Sequence, residues 1–325
     1  MAGDFLRALT IARFAVLLRP DSTLYLPGYK GAAFRGGFGY AFKSIACPTH
    51  DRDCIHRRLG SRCVYSEVFE TPVPPETRVM RKYPYAPHPF VLTPPADRRA
   101  HFTSEQELKL ELVLVGRAIN WLAYFICTLE ELGRRGVGPS RSRYRVVRVE
   151  SLHAYSSTEN GTGTTVYQGD VRKVVGAPQV FEGSNFFDGN REAGAATLLF
   201  ATPVRIISGE RLATQLPFPT LIRSLLRRLA LLAYFHCGQP VSPEVLQGLI
   251  AEAESVRTKD STLRWYDWQR YSTRQKANMK LGGLVGAVSY QGNLTTFVPF
   301  LRAGALTHVG KATSFGLGKY TLREG

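Results

Sequence analysis

The sequence predicts an α+β protein made of two similar units, each with helices packed on one face of an antiparallel sheet. Short runs of alternating apolar residues indicate strands, and apolar residues at helical spacing separate these runs. One order of elements also occurs twice: a helix, a glycine-bearing loop and a basic strand follow one another at residues 118–149 and at residues 295–322. Two βαββαβ units explain this internal duplication, and a single mixed-sheet domain with inserted loops is the alternative.

Length and composition indicate a globular protein with a basic surface. The 325 residues suit two domains of ordinary size, which we place at residues 1–190 and 191–325. The net charge of +16 favours a polyanionic partner. Nucleic acid is favoured over a membrane surface, because the cations are scattered through folded segments. Since the sequence shows neither a secretory signal nor a membrane-spanning run, we expect a cytoplasmic protein without membrane contact.

The first unit is predicted to begin with a strand at residues 9–19, which ends before Pro20. A helix over residues 31–46 follows, and its phenylalanines at positions 34, 38 and 42 form one apolar face. Three glycines in this helix predict that another backbone approaches it closely. The unit continues with a strand at 107–115, a core helix at 118–132, a basic strand from residue 143 and a hairpin at 162–175.

The second unit is predicted to repeat this plan. Strands are expected at residues 197–207, 281–290 and 319–322, and helices at residues 219–236, 243–256 and 295–302. In the helix at 219–236, three arginines are placed on the charged side of an amphipathic helix: Arg223, Arg227 and Arg228.

A glycine-rich loop near the carboxyl end, residues 308–320, is predicted to face phosphates. Its glycines allow a close approach of the backbone, and its two lysines place positive charge beside main-chain amides that we expect to be exposed. The loop lacks the Lys-Ser/Thr ending of a nucleotide-binding P-loop, so a polynucleotide backbone is the better ligand. The alternative is a glycine-bearing turn before the last strand.

Two other segments have the composition of a nucleic-acid surface. Residues 264–280 interleave tryptophan and tyrosine with cations, and residues 133–149 contain no acidic residue. In the alternative, the tryptophans lie in the core and the cations are merely solvated. With the glycine-rich loop and the first helix, the candidate RNA-binding residues are Gly310, Lys311, Ser314, Gly316, Gly318, Lys319, Arg264, Arg270, Arg274, Lys276, Lys280, Arg134, Arg135, Arg141, Arg143, Lys30 and Arg35.

Several motifs resemble a known family. Arg270-Tyr-Ser-Thr-Arg-Gln-Lys276, Met279-Lys-Leu-Gly-Gly283, Phe297-Val-Pro-Phe-Leu301 and the glycine-rich loop resemble the carboxy-terminal half of CRISPR-associated endoribonucleases of the RAMP superfamily. Phe34-Arg-Gly-Gly-Phe-Gly39 and Cys63-Val-Tyr-Ser-Glu-Val-Phe-Glu70 are similar to the bacterial branch of that family. The resemblance implies two tandem ferredoxin-like, RRM-related domains that hold RNA across a shared face.

The resemblance also implies an activity and its partners. Such an enzyme cuts precursor CRISPR RNA within each repeat, without a cofactor, by attack of a ribose 2'-hydroxyl that leaves a 2',3'-cyclic phosphate and a 5'-hydroxyl. The implied partners are CRISPR repeat RNA and other CRISPR effector subunits, with a monomer and a homodimer both open. The alternative is a RAMP scaffold subunit that binds guide RNA without cutting it.

Catalytic residues are harder to assign, because family members often use a histidine near the first helix and this chain has none before His50. Tyr40 and Tyr29 remain for proton transfer there, and Lys43 remains for charge stabilisation. His308, just before the glycine-rich loop, is the other candidate acid or base. The alternatives are an ordinary surface or core tyrosine, a solvated lysine, and a histidine that fastens the helix-to-loop junction through a backbone carbonyl.

A structural zinc site is predicted around residues 47–63. Three cysteines, Cys47, Cys54 and Cys63, with one histidine could supply a tetrahedral ligand set. Related sequences tend to have a fourth cysteine in this loop, so the resemblance implies His56 as its substitute. Unligated cysteines and a disulfide are the alternatives.

Overall fold

The computed structural model describes residues 3–47, 63–73, 77, 85–95, 99–153, 163–189, 192–267, 269–272 and 277–325. The chain divides into two compact units: a first unit of Ile11–Phe181, and a second unit of Met1–Thr10 with Glu182–Gly325. The predicted division lay at residue 190 and did not assign the first ten residues to the second half. None of the described helices is long and apolar enough to cross a membrane.

The first unit has the strand order of a ferredoxin-like fold. Its strands are β1 (Thr10–Pro20), β2 (Leu24–Tyr25), β3 (Phe90–Thr93), β4 (His101–Phe102), β5 (Leu108–Val115), β6 (Tyr144–Leu152), β7 (Thr164–Gln168), β8 (Lys173–Val174) and β9 (Val180–Glu182), and its helices are α2 (Gly31–Ala46), α3 (Val64–Phe69) and α4 (Leu122–Arg135). The main sheet runs β3-β5-β1-β6-β7-β8. The β1-α2-β3-β5-α4-β6 segment is therefore a βαββαβ unit whose four strands are antiparallel neighbours.

The second unit repeats this order. It contains α1 (Asp4–Arg7), β10 (Ala195–Val204), β11 (Ile207–Ser208), β12 (Arg211–Leu212), α5 (Phe218–Cys237), α6 (Pro243–Ala253), β13 (Arg257–Ser261), β14 (Arg264–Tyr266), β15 (Gln269–Ser272), β16 (Ala277–Lys280), β17 (Gly283–Gln291), α7 (Val298–Thr307) and β18 (Tyr320–Glu324). The sheet order is β13-β17-β10-β18, and β14 also pairs with β17. The predicted α+β class with two tandem βαββαβ units is confirmed.

The core of the first unit forms where the predicted apolar face of α2 meets α4 and the sheet. Phe34, Phe38 and Phe42 are fully buried, and the Phe38 and Phe42 rings pack against Phe125 of α4 at 5.7 and 5.2 Å. The prediction that a backbone approaches the α2 glycines is wrong at Gly37. A Cβ there would lie 2.5 Å from a Leu132 side-chain carbon, so the absent side chain gives α4 room.

Two predicted helices begin at other residues than expected. The helix expected at 118–132 begins as a 3-10 turn over Gly116–Trp121 and becomes α-helical only in α4. The helix expected at 295–302 begins at Val298 and continues to Thr307. Pro299 lies in its first turn, where the fixed φ of proline favours helix initiation and the missing N–H costs nothing.

Candidate nucleic-acid interface

The solvent-facing side of α2 carries an exposed tyrosine. Gly36, Tyr40 and Ser44 follow one another at four-residue spacing, so they lie along one side of the helix. Tyr40 is 73% exposed. In the described part of the chain, a Cβ at Gly36 would meet no atom within 4 Å, so the helix surface one turn before Tyr40 is open. A ligand can therefore approach this side of α2.

Arg135, at the end of α4, completes this surface. Its guanidinium carbon lies 5.2 Å from the centroid of the Tyr40 ring, and its Nη2 donates to the Ser44 hydroxyl at 3.0 Å. Its Nε donates to the Glu131 carboxylate at 2.5 Å, and Arg134 Nε donates to the other oxygen of that carboxylate at 2.9 Å. These contacts fix a cation over the phenol ring. We call Tyr40, Ser44, Glu131, Arg134 and Arg135 the Tyr40 surface.

Glu131 stays ionised in this arrangement. Partial burial opposes ionisation, but hydrogen bonds from Arg134 and Arg135 outweigh it and hold the pKa of Glu131 below its usual value. Tyr40 and both arginines were predicted from the sequence, whereas Glu131 and Ser44 were not. The available signal was helical spacing, because Glu131 lies three and four residues before the arginines, where a carboxylate pairs with a cation on the same helix.

The chain between α4 and β6, residues 136–143, forms a tight turn that we call the basic loop. Val137 and Ser142 exchange backbone hydrogen bonds of 2.9 and 3.0 Å. Gly136 has a φ of +83°, which glycine adopts without steric cost. Arg141 and Arg143 are exposed on this turn. The predicted basic segment of the first unit thus places two cations on a hydrogen-bonded loop, where they can meet phosphates.

The glycine-rich loop of the second unit differs from its prediction. Its main-chain N–H groups were expected to be exposed, but six of them donate to acceptors within the unit. These donors belong to Val309, Lys311, Phe315, Gly316, Gly318 and Lys319. The expected row of exposed amides is therefore wrong for these six residues. The arrangement matches the alternative, a glycine-bearing turn before the last strand.

Close backbone-to-backbone packing explains these glycines. A Cβ at Gly310 would lie 2.4 Å from the Arg205 carbonyl oxygen, and a Cβ at Gly318 would lie 1.9 Å from the Val309 carbonyl oxygen. The absent side chains thus leave room for the protein's own backbone, and not for a phosphate of a bound ligand. Of the polar loop residues assigned to RNA, Ser314 is buried, Lys319 is half-buried and Lys311 is exposed.

His308 is a buried junction residue. It is 1% exposed, and its Nδ1 lies 3.1 Å from the carbonyl oxygen of Leu317. Buried Arg228 donates through Nε to the carbonyl oxygens of Thr307 and His308 at 3.0 and 3.1 Å. These contacts satisfy carbonyl groups that the end of α7 leaves without helical partners. They fit the alternative for His308, fastening of the helix to the loop, and do not fit the catalytic prediction.

Arg228 also differs from its prediction. It was expected on the charged side of α5, but it lies in the core. Burial lowers the pKa of its guanidinium to about 10, so it remains charged at neutral pH. Its neighbours Arg223 and Arg227 are exposed as predicted.

The other predicted residues around α2 are mostly buried. Lys30 is 1% exposed, with its Nζ 5.7 Å from the Phe102 ring centroid, and Arg35 stacks on the Phe69 ring at 4.7 Å. Their assignment to RNA is wrong in this structure, because both cations pack on core aromatic rings. Tyr29 is half-buried, and burial raises the pKa of its phenol, which disfavours the ionised form at neutral pH. Lys43 is half-buried, with Nζ 5.2 Å from the Tyr65 ring.

The aromatic and basic segment at 264–280 is exposed where the structure describes its side chains. Arg264, Trp265 and Tyr266 are exposed on β14, and the two aromatic side chains keep 42% and 43% of their surface in solvent. The alternative of a core position is therefore excluded for Trp265. Arg270 and Lys280 lie on the paired strands β15 and β16, whereas Arg274 and Lys276 fall outside the described residues. RNA contact by this segment stays a prediction.

The zinc site also stays a prediction. Cys54 and His56 lie outside the described residues. Cys47 is buried, and the Cys63 thiol lies 3.9 Å from the carbonyl oxygen of Ala46.

Comparisons with known proteins assign the chain to a family. Residues 9–179 match a family model described as the AF_1859_N N-terminal domain, and residues 198–320 match the model of the CRISPR-associated endoribonuclease Cas6. Residues 198–320 therefore belong to the Cas6 family. An uncharacterised protein of Archaeoglobus fulgidus is 25% identical to this protein over 312 residues, which cover 92% of the chain and 93% of that protein. The predicted family is confirmed, and the bacterial branch stays a prediction.

Several solved structures share the fold of this chain. Thermus thermophilus Cas6 (TTHB231) is 16% identical, with a TM-score of 0.53 and coverage of 97% of this chain and 99% of that chain. The product complex of Cas6 (TTHB231) has a TM-score of 0.57 at the same identity and coverage. A partial Cas6-RT-Cas1–Cas2 complex contains a chain that is 12% identical, with a TM-score of 0.59, and the match covers 98% of this chain and 46% of that one.

Proposed function

We propose that this Cas6 member binds CRISPR repeat RNA and cleaves precursor CRISPR RNA once within each repeat, without a metal cofactor. The observation that supports this best is the Tyr40 surface, which holds an exposed phenol and a guanidinium together on α2 and α4. A phenol can move a proton, and a fixed cation can stabilise the charge of a reacting phosphate. The net charge of +16 favours RNA binding.

The reaction is a transesterification in which the RNA supplies its own nucleophile. The 2'-oxygen forms a bond to the adjacent phosphorus and loses its proton to solvent water. The bond from phosphorus to the 5'-oxygen breaks, and that oxygen takes up a proton. The products are a 2',3'-cyclic phosphate and a 5'-hydroxyl.

Each residue of the Tyr40 surface has a role in this proposal. Tyr40 donates its phenolic proton to the leaving 5'-oxygen and recovers a proton from solvent. Arg135 stabilises the charge on the phosphorane and on the transient phenolate, and Glu131 and Ser44 hold it in place. Lys43, three residues after Tyr40 on α2, provides a further positive charge for a neighbouring phosphate.

The decisive experiment incubates the purified protein with end-labelled repeat RNA in EDTA. We expect a single cut, a 2',3'-cyclic phosphate on the upstream fragment and a 5'-hydroxyl on the other. Cleavage that requires added divalent metal would contradict the metal-independent mechanism. A protein that binds neither repeat RNA nor unrelated RNA would contradict the whole proposal.

A non-catalytic RNA-binding scaffold subunit is the second candidate. It is favoured by the burial of His308 and the raised pKa of Tyr29, which leave Tyr40 as the exposed proton donor among the predicted catalytic residues. A gel shift with repeat RNA but no cut in EDTA or in magnesium would support this alternative.

The basic loop provides a quantitative test of phosphate binding. Replacing Arg141 or Arg143 by alanine is expected to reduce the magnitude of the negative slope of log affinity against log salt by about 0.7 per arginine for single-stranded RNA. The reason is that a phosphate that the variant no longer contacts keeps its counterion when the RNA binds. Affinity should be titrated at several salt concentrations. Arg223→Ala, an exposed arginine on α5, is the matched control and should leave the slope unchanged. An unchanged slope in both loop variants would exclude the basic loop from the RNA surface.

A further inference from the structure

The first unit carries an exposed pair of aromatic side chains. Tyr25 of β2 and His101 of β4 are directly opposite each other in a two-stranded sheet. Their ring centroids are 6.4 Å apart at an angle of 45°. Tyr25 keeps 55% of its surface in solvent, and His101 is also exposed. The sheet therefore holds a large aromatic ring outward, against the cost of exposing apolar surface.

The segment around β2 lies directly against the basic loop. The Asp21 amide donates to the Arg143 carbonyl oxygen at 3.1 Å, and the Ser142 hydroxyl donates to the Thr23 carbonyl oxygen at 3.3 Å. Further along, a Cβ at Gly138 would lie 2.5 Å from the Tyr25 carbonyl oxygen. Gly138 is thus needed for the loop to reach the tyrosine.

These contacts join an aromatic platform to a cationic turn. Because Arg141 and Arg143 flank Ser142, both cations belong to the turn that is hydrogen-bonded to the segment just before β2. An aromatic face beside arginines is the combination that binds unpaired nucleotides, since the ring stacks on a base and the cations take its phosphates.

We propose that Tyr25, Arg141 and Arg143 form a subsite for one unpaired nucleotide of the bound RNA, with the base stacked on the Tyr25 ring and the flanking phosphates at the arginines. This inference rests on the proposed function and adds a substrate preference to it. A base inside a duplex is stacked on both faces and cannot cover the tyrosine. The subsite therefore selects RNA that is single-stranded where it contacts Tyr25.

The test measures RNA affinity for the wild-type protein and for Tyr25→Ala, Tyr25→Phe and Val171→Ala. The probes are a single-stranded repeat RNA and the same RNA annealed to its complement. Tyr25→Ala is expected to weaken single-strand binding about 10-fold, with no change for the duplex. Tyr25→Phe should bind as the wild type, because the ring is retained. Val171→Ala removes another exposed apolar side chain of the first unit and should have no effect.

A fluorescence measurement gives an independent readout of stacking. In Tyr25→Trp the new indole should be quenched by the single strand and not by the duplex. Equal affinities for wild type and Tyr25→Ala would overturn the subsite while leaving the proposed function intact. Equal losses in Tyr25→Ala and Tyr25→Phe would assign the effect to the hydroxyl and overturn stacking. If the wild type bound no RNA, the subsite and the proposed function would both be wrong.

Discussion

Replacing Tyr40 by phenylalanine is expected to reduce the single-turnover rate constant for repeat cleavage about 100-fold or more while RNA affinity stays unchanged. The substitution removes only the phenolic O–H and keeps the ring that lies under the Arg135 guanidinium at 5.2 Å. General acid catalysis contributes to the transition state and not to ground-state binding, so the loss should appear in the chemical step alone. Rapid-quench kinetics at saturating protein, with a parallel binding titration, measures both quantities.

Two further variants test the geometry of this pair. Arg135→Lys keeps the positive charge but cannot contact Tyr40, Ser44 and Glu131 together, so the rate constant should also fall. Tyr234→Phe, which alters a phenol of the second unit, is the control and should cleave at the wild-type rate. A Tyr40→Phe enzyme with wild-type kinetics would remove Tyr40 from the mechanism and favour another proton donor.

Replacing Gly318 by alanine is expected to lower the free energy of unfolding by about 3 kcal/mol, through backbone strain and overpacking. Gly318 has a φ of +72°, and an added Cβ would lie 1.9 Å from the Val309 carbonyl oxygen. Both the strained conformation and the collision must be relieved by moving the glycine-rich loop. Chemical denaturation followed by circular dichroism measures the change.

Gly209→Ala is the matched control for this substitution. Gly209 has a φ of +66°, but in the described part of the chain an added Cβ would meet no atom within 4 Å. Its cost should be limited to the backbone term of about 1 kcal/mol. Similar stabilities for the two variants would show that the close backbone packing within the glycine-rich loop is not needed for folding.

Helices and strands could be predicted from the sequence because their signals are local. The four-residue spacing of phenylalanines in α2 requires an apolar helix face, and the observed helix covers the predicted residues 31–46. The partners of single residues depend on contacts between segments far apart in the chain. Gly310 is an example of a residue whose partner could not be predicted. A glycine that packs against a phosphate and a glycine that packs against the Arg205 carbonyl look the same in a sequence.

The same limit applies to charge and to titrating groups. Lys30 and Arg228 carry charged side chains that usually lie at the surface, yet both are buried. Lys30 lies against the Phe102 ring, and Arg228 donates to two carbonyl oxygens. Neither kind of partner leaves a spacing pattern along the chain. Arg135 was found because basic residues cluster near it, but its stacking on Tyr40 follows from the approach of two helices that the sequence does not pair.

The assignment of residues 1–10 to the second unit has a consequence for dissecting this protein. Within that unit, Phe5 stacks on Phe300 at 5.6 Å and the Arg7 guanidinium lies 3.9 Å from the Phe187 ring centroid. A fragment cut from the gene at residue 182 would lack this short amino-terminal cover and would expose the Phe300 ring. Expressing the carboxy-terminal half as a stable piece therefore requires grafting the first ten residues onto it, as in a circular permutant.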